Sequence, residues 1–137
     1  MTKTILLVED NASDEKLTVL AFLKSGVPSE IVVARDGAAA IQHLLGDHAL
    51  PALVLLDLKL PKLDGLEVLE QLRKNERTKL LPVVVLTASR EEEDVLRSYQ
   101  LGANAYVRKP VEFSAFLETA KTLGNFWLQL NELPNQP

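Results

Sequence analysis

Four short runs of this chain are apolar without any alternation: Ile5-Leu-Leu-Val8, Ile31-Val-Val-Ala34, Leu53-Val-Leu-Leu56 and Val83-Val-Val-Leu86. Ala105-Tyr-Val107 is a weaker fifth. A strand that is apolar on both faces has to be covered on both faces, as in a parallel sheet between helices. Between the runs the apolar period becomes helical. Leu17, Leu20 and Ala21 follow the capping candidate Ser13 and stop at Gly26. Ala38, Ile41, Leu44 and Leu45 follow Asp36-Gly37, and Leu66, Val68, Leu69 and Leu72 follow Asp64-Gly65. Val95, Leu96, Tyr99 and Leu101 precede Gly102, and Phe113, Phe116, Leu117, Ala120 and Leu123 form the last stretch. Caps and glycines of this kind bound helices. Five strand–helix alternations predict right-handed crossovers and a doubly wound α/β fold with five helices.

The bulk properties narrow the function. A chain of 137 residues, 47% hydrophobic, suits one domain with its own core. Residues 1–130 are expected to form that domain and 131–137 a loose tail, ending in Pro134-Asn-Gln-Pro137. The absence of cysteine excludes a disulfide framework, a thiolate metal site and a cysteine nucleophile. Lys and Arg number 15 against 19 Asp and Glu, with no dense basic block, so a nucleic-acid partner has no footprint. The apolar start is too short for a signal peptide. Leu80–Leu86, interrupted by Pro82, is too short to span a bilayer. The expectation is a soluble, cytoplasmic protein with no membrane partner.

The polar residues fall where such a fold builds its sites, beyond the carboxyl ends of the strands at the switch in strand order. For a flavodoxin-like five-stranded order, 2-1-3-4-5, the switch lies between strands one and three. Strand one ends in Glu9-Asp10-Asn11, strand three in Asp57, strand four in Thr87-Ala88-Ser89 and strand five in Arg108-Lys109-Pro110. Strand two ends in Arg35-Asp36-Gly37, away from the switch, and reads as a turn. Three carboxylates aimed at one crevice repel unless a cation joins them. A hard divalent ion with oxygen ligands, Mg²⁺ where phosphate is also bound, meets that need. Lys109 adds a point charge and Thr87 a hydroxyl. The set suits phosphoryl transfer to Asp57, chemistry that is mostly positioning and electrostatics.

Each residue alone has a plainer explanation. Asn11 or Ser13 caps a helix, Asp57 ends a strand in a turn, Thr87 caps the next helix and Lys109 is a solvated surface charge. Four strand ends carrying matching chemistry to one edge outweigh those separate accounts.

These stretches resemble response regulator receiver domains of two-component signalling. The matching segments are Ile5–Asn11, Leu55–Gly65, Pro82–Ala88 and Gly102–Pro110, in order along nearly the whole chain. The resemblance implies that Asp57 accepts a phosphoryl group from a sensor histidine kinase. It implies that Glu9, Asp10, Asp57 and the backbone carbonyl of Lys59 hold Mg²⁺, and that Lys109 pairs with the phosphoryl group. It further implies that Thr87 moves to bond that group, with Tyr106 turning inward behind it, that Gly65 is structural, and that the Lys109–Pro110 bond is cis. Lys59 and Ser89 occupy positions that tune phosphoryl lifetime. Such a protein is not an enzyme in the ordinary sense; its chemistry is Mg²⁺-dependent self-phosphorylation and autodephosphorylation. Glu9 stands where Asp is commoner, and its oxygen could meet the metal directly, through water, or meet Lys109.

The stretches Glu92-Glu-Asp-Val95, Ser98-Tyr99, Asn125-Phe-Trp-Leu128 and Leu133-Pro134 are similar to the small regulators paired with bacterial and cyanobacterial phytochromes. That implies a light-sensing kinase and a homodimer. Phe126 and Trp127 then anchor an interface, the alternative being that they fold back on their own core. The segment after Pro110 has room for one helix and a tail, so output is expected from the domain surface through partner binding or dimerisation. His43 and His48 are expected to face solvent, and Glu91–Asp94 to be a solvated acidic first turn. Two rival chemistries fit less well. A haloacid dehalogenase-type phosphatase resembles an Asp-x-Asp pair, and Lys59 stands at its second position. A flavin module needs a glycine- and hydroxyl-rich loop where Glu9-Asp10-Asn11 stands.

Overall fold

A computed structural model describes residues 2–134. Its strands are β1 (Lys3–Val8), β2 (Ser29–Ala34), β3 (Leu53–Leu56), β4 (Val83–Thr87) and β5 (Ala105–Arg108). Between and after them run α1 (Ala12–Lys24), α2 (Gly37–Leu44), α3 (Gly65–Lys74), α4 (Glu92–Gln100) and α5 (Phe113–Gly124). All pairings are parallel, in the order β2-β1-β3-β4-β5. The five apolar runs are the five strands, and β3 and β4 are buried throughout. Two apolar clusters cover the sheet. Leu6, Val8, Leu56, Val83 and Val85 pack on one face with α2 and α3. Ile5, Leu7, Leu55, Val84 and Leu86 pack on the other with α1 and α5. Alternate residues of each strand thus reach opposite helical layers, which is why the runs show no polar alternation.

The helices start where short acceptors stop the strands. Asn11 caps α1 by accepting from Asp14 N at 2.9 Å, Asp36 caps α2 from Ala39 N at 2.7 Å, and Asp64 caps α3 from Glu67 N at 3.0 Å. The cap of α1 is Asn11, not Ser13. Asn11 has the extended backbone a cap needs, whereas Ser13 already lies within the helix. Gly65 brings α3 hard against β3: a Cβ there would lie 2.3 Å from the Asp57 carbonyl oxygen and 2.6 Å from Leu58 Cα.

The fifth helix does not stop at Gly124. It continues as a π-helical turn, Asn125–Leu130, closed by Asn131 N–H donating to Phe126 O at 2.7 Å. Gly124, just before this turn, lies close to Val27, which would stand 3.2 Å from an added Cβ. The two aromatics part company here. Trp127 packs half-buried against the α1/α5 cluster, while Phe126 is 46% exposed. Their rings meet edge to face, with centroids 4.9 Å apart. His48 faces solvent as expected, but His43 is half-buried, its ring stacked on that of His48 at 4.3 Å. Burial, and then the charge of His48, lower its pKa. The expected tail begins beyond the π turn, and its last residues, 135–137, lie outside the described residues.

Candidate functional site

The pairing register brings four strand ends together. Val8 lies beside Leu56, Leu56 beside Val85 and Thr87 beside Arg108. The residues that follow the strands therefore emerge at one edge. Glu9, Asp10, Asp57, Thr87 and Lys109 line a single cleft of about 560 Å³, together with Asn11, Asp14 and Lys59.

Asp57 is 6% exposed. Its N–H donates to Val8 O at 3.1 Å, fastening it to the end of β1. One carboxylate oxygen accepts from the Thr87 hydroxyl at 2.9 Å and from Lys59 N–H at 3.2 Å. The other accepts from the Lys109 ammonium at 2.8 Å. Burial alone would raise the Asp57 pKa, but the bond and charge of Lys109, with the Lys59 and Thr87 donors, hold it below its usual value.

Lys109 directs its three donors at three carboxylates: Glu9 at 2.6 Å, Asp57 at 2.8 Å and Asp14 at 2.9 Å. Its side chain is 8% exposed. Burial disfavours the ammonium, yet the acceptors outweigh this and raise its pKa. Glu9 is 1% exposed, and its second oxygen accepts from Asn11 N–H at 3.2 Å. Burial pushes the Glu9 carboxyl up, Lys109 opposes that, and the Asp57 charge adds to it, leaving a pKa pushed up to about 7. Of the arrangements open to Glu9, the structure thus shows the contact with Lys109.

The cluster fits a divalent cation. One oxygen from each of Glu9, Asp10 and Asp57 lies within 4.8 Å of the other two. These are hard oxygen donors, the set that Mg²⁺, Mn²⁺ or Ca²⁺ takes. The single ammonium faces three carboxylates in contact, with Asp10 beside them, so negative charge is in surplus. The Glu9 pKa is raised first by burial, and the Asp57 charge adds to it.

Thr87 is fully buried with its hydroxyl already on Asp57. Tyr106 is half-buried behind it, and its hydroxyl donates to Ser89 O at 3.1 Å. Beside the cleft, the Ser89 hydroxyl donates to Asp94 at 2.5 Å, and the Lys59 ammonium forms a looser ion pair with the same carboxylate oxygen at 3.9 Å. The Lys109–Pro110 bond is trans, not cis: no peptide bond among the described residues is cis. Lys109 N–H still pairs with Thr87 O at 2.8 Å, and Pro110, which has no N–H to offer, follows the end of the strand. The trans form is the favoured one by about 0.5–1 kcal/mol, and Lys109 reaches its partners from it. Sequence reasoning missed Asp14. The signal was its place three residues after the capping Asn11, on the first turn of α1 facing the strand ends.

A family described as response regulator receiver domain matches residues 5–121. The "Probable methanogenesis regulatory protein FilR2" of Methanothrix harundinacea is 42% identical over 134 residues, 95% of this chain and 86% of that protein. Response regulator Rcp1 of Synechocystis is 40% identical over 137 residues, 96% of this chain and 93% of that protein. Its Mn²⁺-bound crystal structure superposes with a TM-score of 0.86 at 39% identity, over 97% of this chain and 99% of that one. The phosphorylated cyanobacterial phytochrome response regulator RcpA gives a TM-score of 0.92 at 41% identity, over 98% of this chain and all of that one. The bacteriophytochrome response regulator RtBRR gives 0.76 at 51% identity, over 98% and 85%. The chain therefore belongs to the family of response regulator receiver domains, signalling proteins that accept a phosphoryl group on an aspartate.

Proposed function

We propose that Asp57 is the phosphoacceptor of this chain and Mg²⁺ its working metal, and that the phosphoryl donor is a sensor histidine kinase of the phytochrome class. The observation that carries this is the buried Asp57 carboxylate, held by Thr87 on one oxygen and Lys109 on the other. That geometry presents a deprotonated nucleophile with two donors beside it.

In the reaction, an Asp57 carboxylate oxygen forms a bond to phosphorus. The bond from phosphorus to the donor breaks, and its electron pair leaves with the donor, an imidazole of the kinase or the acetate of acetyl phosphate. Lys109 and Thr87 turn their donors from Asp57 to the incoming phosphoryl oxygens. Glu9, Asp10, Asp57 and the Lys59 carbonyl would hold Mg²⁺, which when bound neutralises charge on those oxygens. The phosphoryl group stays on the protein until water removes it, so the chain marks a state rather than turning over a substrate. Thr87 and Tyr106 pass the change to α4, β5 and α5.

The phytochrome pairing is supported by the likeness to Rcp1, RcpA and RtBRR. A homodimer is supported by exposed apolar groups at the end of the chain, Phe126 and, at 73% exposure, Leu130. Residues 1–130 form the signalling domain and 131–137 a tail. No helix among the described residues is long and apolar enough to cross a membrane. The test is incubation with Mg²⁺ and acetyl phosphate. One acid-stable, base-labile phosphoryl group should appear by mass and be absent from Asp57→Asn; an equally labelled Asp57→Asn would overturn the assignment.

A further inference from the structure

We infer that Asp14 is a positioning residue for phosphoryl transfer, holding the Lys109 ammonium at the cleft while the other partners of that lysine change. This rests on Asp57 being the phosphoacceptor.

An acidic residue in the first turn of α1 has an ordinary explanation, since it favours the helix dipole. Asp14 does more. Its carboxylate reaches a lysine 95 residues away, at 2.9 Å, beyond the end of β5. Lysine carries its charge on a flexible four-carbon stem, so fixing its ammonium costs conformational freedom. Three carboxylates converge to fix it here, and they differ in what the reaction does to them. Asp57 becomes an acyl phosphate when its oxygen bonds to phosphorus and the bond from phosphorus to the donor breaks, and the negative charge at that position then sits on the phosphoryl oxygens. Glu9 belongs to the oxygen cluster suited to a divalent cation, so its charge is shared once a cation is bound. Asp14 lies outside that cluster and outside the bond-making step. It is the partner whose charge is the same before, during and after transfer.

The consequence is pre-organisation. One Lys109 donor must leave Asp57 for the phosphoryl oxygens, and a lysine still tethered by Asp14 makes that change by a small rotation at the rim. Without the tether, the ammonium is held by fewer fixed acceptors as its other partners change, and stabilisation that depends on a fixed donor is weakened. Asp14 is 37% exposed at its side chain, so it can be changed with little disturbance to the core.

The test compares rates of labelling by acetyl phosphate with Mg²⁺ in wild type, Asp14→Asn, Asp14→Glu and Asp57→Asn, each checked by thermal unfolding. Asp14→Asn should slow labelling about tenfold, the share of one charge-assisted bond, and Asp14→Glu should recover most of it. Both roles of Asp14, at the lysine and at the helix dipole, survive in Glu, so a second comparison separates them. In a Lys109→Met background, Asp14→Asn should have no further effect. An equal slowing in both backgrounds would mean that Asp14 acts on the helix alone and would overturn the inference, as would an Asp14→Asn rate within about twofold of wild type. Should Asp14→Asn fail to fold, Asp14→Ser, a residue well suited to a helix start, takes its place. Labelling that persists in Asp57→Asn would instead sink the underlying phosphoacceptor reading, a result distinct from either of these.

Discussion

Lys109 Nζ lies 2.8 Å from Asp57 Oδ2, joining residues 52 apart in the chain at the rim of the sheet. The contact lowers the Asp57 pKa in a place where burial alone would raise it. Lys109→Met keeps the apolar stem and removes the charge. Labelling of Asp57 by acetyl phosphate should then slow by about 100-fold, the cost of deleting one preorganised donor. A rate near wild type, measured under saturating Mg²⁺, would mean that the lysine is structural only.

Glu9 links metal and proton. Its carboxyl is pushed up to about 7, so at pH 6 most of it is protonated and at pH 8 most is ionised. A cation needs the ionised form. Mg²⁺ affinity should rise from pH 6 to about pH 7.5 and then level. Calorimetry in two buffers of different ionisation enthalpy should show proton release at pH 6 and little at pH 8, with Glu9→Gln abolishing the difference.

The same shift sets the stability of metal-free protein. The folded pKa of Glu9 is above its ordinary value of 4.5, so the fold favours the protonated acid. The stability this contributes is complete below pH 4.5 and is lost as pH rises through about 7. Asp57 is shifted the other way, and its contribution is present above its ordinary value of 3.8 and is lost as pH falls through its lowered folded value. The unfolding midpoint in chelator should therefore fall between pH 5 and pH 7.5, and Mg²⁺ should raise it more at pH 7.5 than at pH 5.

Arg73 staples the end of the sheet opposite the cleft. Its guanidinium donates to the carbonyls of Gly102 at 2.9 Å, Leu81 at 2.8 Å, Lys79 at 3.1 Å and Thr78 at 3.2 Å, and to Asn104 Oδ1 at 3.0 Å. Removal takes away the group that ties the carbonyls of Gly102 and Leu81 and the side chain of Asn104 together, across the loops before β4 and β5. Arg73→Ala should cost about 2–4 kcal/mol in urea unfolding. Arg73→Lys should recover little, because one ammonium cannot span that fork of acceptors.

How much of this was legible in the residues follows from the range of the signal. The strands were readable because Leu53–Leu56 and Val83–Thr87 face helices on both sides, so burial wrote itself into consecutive letters. The edge where Glu9, Asp57, Thr87 and Lys109 meet followed from strand order and the rule for sites at its switch. Features that depend on side-chain reach did not follow. Asp14 meets Lys109 across 95 residues, and the first-turn position of Asp14 already had a sufficient local explanation. The capping of α1 was divided between Asn11 and Ser13 because both side chains can cap, and only the backbone at Asn11 separates them. The cis Lys109–Pro110 bond came from the resemblance alone, and the ordinary trans preference of an X–Pro bond holds instead. The π turn at Asn125–Leu130 carries no sequence periodicity that marks it.

The end of the chain gives the last prediction. Trp127 and Leu128 are drawn toward the α1/α5 cluster, whereas Phe126 and Leu130 stand outward on the same π turn. Exposed aromatic and aliphatic groups side by side are the usual anchors of an interface, and their burial by a second copy would contribute about 1.5–3 kcal/mol for each side chain fully covered. The pair Phe126→Asp and Leu130→Asp should leave the monomer folded, since neither side chain fills the core, and should shift the protein from dimer to monomer in sedimentation equilibrium. Trp127→Ala should instead lower the unfolding midpoint of the monomer itself. A protein that sediments as the same species with and without Phe126→Asp/Leu130→Asp would rule this surface out as a site of self-association, whatever the phosphorylation state of Asp57.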